Sequence, residues 1–239
     1  MPGRGAAGVL LFVKRGVVPI FRQMLSALNS RGRVSSEVLS LHLVHPSTEA
    51  VAQLADVLSK DPRLRDVENI DKLRSNNGLR DLLSGRRLPD WMVRQYMLVV
   101  GIETVTEAFR FKYPNPNLTL QAGSIEKGET VLNAAVRETF EEARILVHWT
   151  SLLPRPIRLL GGGLMMYTCL IDQKTHVRCT RNSIYIGTWS PRPTHGPWTQ
   201  TDVHRVPVHH PVRTAAKGKA KKRPRGMPPP PRIEYTGGA

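Results

Sequence analysis

Glu129, Arg137, Glu138, Glu141 and Glu142 fall in one short stretch of this 239-residue chain. On a helix, Glu138, Glu141 and Glu142 stand at i, i+3 and i+4 and share a face. Like charges at that spacing destabilise an isolated helix by about 0.2–0.5 kcal/mol per pair. Such a face is either solvated or gathered around a cation, and hard carboxylate oxygens select Mg2+ or Mn2+. Thr130 is placed to cap the helix, and good helix formers follow from Val131. Leu132, Ala135, Val136 and Thr139 make the stripe predicted to face a core.

The surrounding frame narrows the choice. Gly123 is followed by five residues and Glu129, then by seven residues and Arg137-Glu138, then by Glu141-Glu142, and Ile145 closes the run. This resembles the Nudix box, G-x5-E-x7-R-E-U-x-E-E-x-G-U with U apolar, and every charged position of that pattern is present. The resemblance implies metal-binding carboxylates at Glu138, Glu141 and Glu142, with Glu129 as an outer acid of the metal site. It also implies Glu138 as the base that activates water, Arg137 as the residue that orients the glutamates, and Mg2+ or Mn2+ as cofactor. Two positions depart from the pattern. Thr139 stands at an apolar position, and Arg144 replaces the glycine that ends the box. A non-glycine residue in a left-handed helix cap costs on the order of 1 kcal/mol.

The net charge of +16 resides in the ends. Residues 1–36 hold six basic residues and no acid, and residues 203–239 hold nine basic residues and one acid. The middle keeps 20 basic and 18 acidic residues and is nearly neutral. Basic ends on a neutral domain point to a polyanion as partner, rRNA or mRNA above all, with other ribonucleoprotein proteins beside it. Lys217, Lys219, Lys221, Lys222, Arg223 and Arg225 are the candidate RNA-binding residues, followed by four prolines at 228–231 that favour polyproline II. His204, His209 and His210 fit no common metal spacing. Cys169 and Cys179 make neither a metal-ligand spacing nor a disulfide framework, which fits a reducing compartment. No apolar run is long enough to span a bilayer.

Four regions are expected. Residues 1–36 lack acids and carry arginine, serine and apolar residues, the composition of a mitochondrial targeting segment or of a retained basic arm. Residues 37–93 read as a helical extension, with Ser47 capping a helix through Leu58, a second helix over 64–73 and a short third over 79–83. Residues 94–190 carry the Nudix-like domain, with strands predicted at 96–102, 108–113, 118–121, 145–149, 164–171 and 184–189. Residues 191–239 form a basic, proline-rich, irregular tail. Strands around one central helix, together with the resemblance, imply an α/β fold, a Nudix-type α/β/α sandwich with a mixed sheet.

Two functions follow. One is a metal-dependent pyrophosphohydrolase of a nucleoside-diphosphate-linked substrate, with the 5′ end of RNA favoured by the basic ends. The other is a Nudix-fold RNA-binding structural or assembly component of the mitochondrial ribosome or an mRNA-stability complex, with little or no catalysis. The composition of residues 1–36 points to the mitochondrial matrix for either.

Overall fold

The computed structural model describes residues 5–64, 73–84, 87–103, 116–180 and 182–187. The strand expected at 108–113, most of the helix expected at 64–73 and the whole tail with its Lys217–Arg225 cluster lie outside them.

The centre of the fold is β1 (Ala6–Lys14), buried from Ala7 to Val13. One edge of β1 runs parallel to β9 (Leu164–Ile171) over eight residue pairs. The other edge is shared: Ala6–Gly8 pair with β6 (Ala122–Ser124) and Phe12–Lys14 pair with β4 (Tyr96–Glu103), both antiparallel. Further out, β4 pairs with β2 (Val38–Val44) and β5 (Asn117–Thr119), β5 with the short β3 (Arg74–Ser75), and β9 with β8 (Ile157–Leu159). A second, three-stranded sheet orders β10 (Val177–Cys179), β11 (Ile184–Ile186) and β7 (Ile145–Val147). Parallel and antiparallel pairs coexist in both sheets, so the sheets are mixed as expected.

Alternation along β1 divides the core in two. Ala7, Val9, Leu11 and Val13 join Phe21, Met24, Leu25 and Leu28 of α1 (Val18–Asn29) and Ala134, Ala135 and Ala143 of α5 (Val131–Ala143). Leu10 and Phe12 join Val51 and Leu58 of α2 (Thr48–Ser59), Leu79 and Leu82 of α3 (Asn77–Ser84) and Met92 of α4 (Asp90–Gln95). A strand packed on both faces reads as a continuous apolar run, which is what Gly8–Val13 is. Helices thus cover both faces of the main sheet, an α/β/α arrangement.

Two expected boundaries are corrected. Residues 6–29 are not an arm but the central strand and a core helix, because a β1 buried on both faces cannot be detached from the sheet. Residues 37–93 are not a helical extension: β2 and β3 belong to the main sheet, and α2 and α3 close its second face. The domain begins at β1, and β1 and β4 are sheet neighbours separated by the inserted residues 15–95.

The box helix α5 packs through small residues. Ala134, Ala135, Glu138, Thr139 and Ala143 are buried, whereas Leu132 and Val136, expected in the core, are only partly so. The alanines let the helix approach β1 closely and turn Glu138 inward. Val9 falls in the gap of the β1 edge between the β6 and β4 pairings, and its N–H donates to Thr139 Oγ1 at 3.0 Å. That hydroxyl in turn donates to the Ala135 carbonyl at 2.8 Å. Thr139 is thus a polar stitch where the pattern prefers an apolar residue. Thr139→Val should lower unfolding stability by about 1–3 kcal/mol, because the buried Val9 N–H loses its acceptor. Urea unfolding measures it, and a midpoint equal to the parent's would show that Val9 finds another partner.

Candidate active site

Thr130 caps α5 as expected, its side chain accepting from Asn133 N–H at 3.2 Å. Arg144 ends the helix in a left-handed conformation, φ 56° and ψ 26°. A non-glycine residue persists there because its surroundings over-determine it. Its N–H donates to the Phe140 carbonyl, its carbonyl accepts from Ile184 N–H, and its Nε donates to the Val34 carbonyl at 3.3 Å. The guanidinium lies 5.9 Å from the Phe140 ring centroid.

Arg137 organises the acids. Its Nε and Nη2 donate to the two oxygens of Glu129, both at 2.8 Å, a bidentate pair. Its Nη1 donates to Glu138 Oε1 at 2.7 Å and to Glu141 Oε2 at 3.1 Å, and Nη2 also reaches the Ser124 carbonyl at 2.9 Å. The Glu129 carboxyl is held below its ordinary range chiefly by the Arg137 hydrogen bonds. Those same bonds to Glu129 strengthen the hold of Arg137 on its proton. The orienting role implied for Arg137 therefore has a geometry: one guanidinium fixes three carboxylates and the turn before the helix.

Gly123 faces Glu138. A Cβ at position 123 would sit 2.3 Å from Glu138 Oε2 and 2.7 Å from Oε1, so only glycine leaves room for that carboxylate, which is 7% exposed. Glu142 lies beside it, its Oε2 accepting from Ala122 N–H at 2.9 Å. Burial pushes the Glu142 carboxyl up to about 9, and the neighbouring charges of Glu37, Glu138 and Glu103 push in the same direction. Burial, then Glu37, also raises Glu103.

The four expected metal-site acids therefore fall into two pairs. Glu138 and Glu142 face β6 and crowd other carboxylates. Glu129 and Glu141 face the Arg137 guanidinium, which holds Glu138 as well, and Glu141 keeps 42% of its side chain exposed. Among the described residues no group of three or more His, Cys, Asp or Glu side chains is arranged to hold a metal ion. Convergence of Glu138, Glu141 and Glu142 on one point is thus not what the structure displays. The donor set at Glu138 and Glu142 nevertheless has the chemistry of a hard divalent cation's ligands: carboxylate oxygens, mutual repulsion, and a glycine whose missing side chain leaves room for the Glu138 carboxylate.

Sequence reading missed Glu37 and Glu103, which lie far from the box along the chain. The one available signal was a glutamate closing the apolar run of β4. Cys169 and Cys179 are free, buried thiols, and burial raises both, Cys169 to about 12, so neither is a nucleophile at neutral pH. Among the described residues no helix is long and apolar enough to cross a membrane.

A family model described as the NUDIX domain matches residues 99–219. No curated protein and no solved structure matches the chain.

Proposed function

The chain belongs to the Nudix family, and from that premise we propose that it is a metal-dependent pyrophosphohydrolase of nucleoside diphosphates linked to a second group. The 5′ end of RNA is the substrate class we favour, in a mitochondrial ribonucleoprotein setting. The observation that carries the hydrolase reading is the placement of Glu138: buried, one oxygen held by Arg137 and the other against Gly123. A bound Mg2+ or Mn2+ supplies charge neutralisation on the phosphates and a more acidic water. The protein's own part follows from the contacts described. Glu138 takes the proton of the attacking water. Arg137 fixes that carboxylate and, through Ser124 and Glu129, the loop that leads into α5. Attack of water on phosphorus breaks the pyrophosphate P–O bond; a diphosphate esterified at both ends leaves two phosphomonoesters, and a 5′-triphosphorylated RNA end leaves the 5′-monophosphorylated RNA and inorganic diphosphate.

The charge of the chain ends supports RNA as substrate, since the middle is close to neutral. The test is Mg2+-dependent product release from ADP-ribose, a dinucleoside polyphosphate and 5′-triphosphorylated RNA, with the full chain and with a chain lacking residues 213–239. Turnover of the RNA that weakens with salt and with the tail removed, while small-substrate turnover holds, is expected. Tight RNA binding with no turnover of any of the three would instead support a Nudix-fold RNA-binding component of the same setting.

A further inference from the structure

The second sheet turns one face to the core. Ile145 and Val147 of β7, Ile184 and Ile186 of β11 and Cys179 of β10 are buried there, in the cluster that includes Ala134, Ala135 and Ala143 of α5. Side chains alternate along a strand, so Leu146, Tyr185 and Arg178 point the other way. Register sets these three in a row, Leu146 opposite Tyr185 and Tyr185 opposite Arg178. A second row follows one pleat on. His148 N–H donates to the Ile186 carbonyl and Gly187 N–H to the His176 carbonyl, both at 2.8 Å. His148 and His176, two residues from Leu146 and Arg178, continue the same face. Gly187, with φ 104°, gives His148 its room, since a Cβ there would sit 2.6 Å from the His148 Cβ. The His148 Nδ1 accepts from Thr150 N–H at 3.3 Å, and its ring leans on Trp149, 5.7 Å between centroids with 30° between planes. Trp149 is 51% exposed, and His176 and Arg178 are exposed as well. The local charge is basic although residues 37–202 nearly balance. Residues 144–187 hold six lysines and arginines and one acid, Asp172, and the three strands of this sheet hold no acid.

We propose that the outer face of the second sheet is a docking surface for single-stranded RNA, with a base stacked on Trp149 and a phosphate met by Arg178. Rings set among cations and away from carboxylates suit a polymer with an anionic backbone and flat side groups. An acidic protein would be met by the cations but would gain little from the rings. The proposal rests on RNA as the substrate class and places part of its binding in the folded domain, apart from the basic tail. Because α5 lies on the buried face of this sheet, the docking face points away from the helix that carries Glu138. It holds RNA and takes no part in the chemistry, so a small substrate does not need it.

Fluorescence anisotropy of a labelled oligouridylate without 5′ phosphate, titrated with the full chain, tests this for wild type, Trp149→Ala, Trp149→Phe and Arg178→Gln. Trp149→Ala is expected to weaken binding about 5- to 150-fold, and Trp149→Phe, which keeps a ring, to recover most of it. Arg178→Gln should reduce the log-log salt slope by about 0.7. Small-substrate turnover should be unchanged in all three variants. If Trp149→Ala and Arg178→Gln bind the oligonucleotide as wild type does, the docking surface is refuted and the hydrolase reading stands. If Arg178→Gln weakens oligouridylate and polyglutamate alike while Trp149→Ala weakens neither, the face takes an acidic protein and the RNA proposal falls. If wild type fails to bind the oligonucleotide at about 50 mM salt, RNA as substrate class fails together with the surface, and small-substrate turnover alone decides the hydrolase reading.

Discussion

A chain that begins at residue 37 is expected not to fold. The truncation removes β1, which pairs with β4, β6 and β9, and α1, whose Phe21, Met24, Leu25 and Leu28 are all buried. Eight further apolar side chains from Ala7 to Val34 belong to the buried core. Full burial of one large apolar side chain is worth about 1.5–3 kcal/mol. The loss of this whole set exceeds the stability of an ordinary domain, about 5–15 kcal/mol. Circular dichroism and size-exclusion chromatography of residues 37–239 should show an aggregated or unstructured product. A soluble, cooperatively melting truncated protein would overturn the assignment of β1 as the sheet's centre. The same argument constrains the proposed mitochondrial location. Removal of a leader by cleavage after β1 would cost the fold, so the mature protein in the organelle should retain Ala6–Lys14, which N-terminal sequencing reads directly.

Glu138→Gln carries the second large expectation, a fall in kcat of about 10²–10⁴-fold for any pyrophosphate the protein hydrolyses. The amide keeps the size of the acid, so it still fits against Gly123 and still offers Arg137 Nη1 an acceptor oxygen. It cannot accept the proton of the attacking water, and it contributes one negative charge fewer beside Glu142. Folding should therefore survive while turnover fails. The measurement pairs kcat with the urea midpoint. A variant with parental kcat would remove Glu138 from proton transfer, and a collapsed midpoint would mean that the site acts through packing.

The box was legible because its spacing is long and its residues charged. Thr130 as helix cap, α5 itself and the Arg137 frame all follow from it, and Ser47 caps α2 on the same logic, its Oγ accepting from Ala50 N–H at 3.2 Å. The helix face was legible only in part. Periodicity placed Leu132 and Val136 inward, but the close approach of α5 to β1 requires small residues, and Ala134 and Ala143 provide them. The N-terminal strand was misread for a different reason. A run such as Gly-Val-Leu-Leu-Phe-Val, flanked by arginines and without acids, has the composition of a leader as well as of a buried strand, and only its partners decide between them. Those partners lie at residues 96–98, 122–124 and 164–171, beyond any local pattern. Glu37 and Glu103 escaped notice likewise, because sheet register and not sequence distance brings them to Glu142.

The insertion between β1 and β4 also sets a timetable. On a ribosome β1 emerges first, yet residues 15–95 precede its antiparallel neighbour β4 and residues 15–163 precede its parallel neighbour β9. At about 5–20 residues per second, the wait for β9 is roughly 7–30 s. Until β4 and β6 are made the chain presents an apolar segment with no sheet to enter, and until β9 is made one edge of β1 stays unpaired, the kind of segment that recruits identical copies. The long-range closure also places the protein among slow folders of high contact order. Production of the full chain should thus gain more from slower translation and chaperone supply than from any change at the catalytic carboxylates.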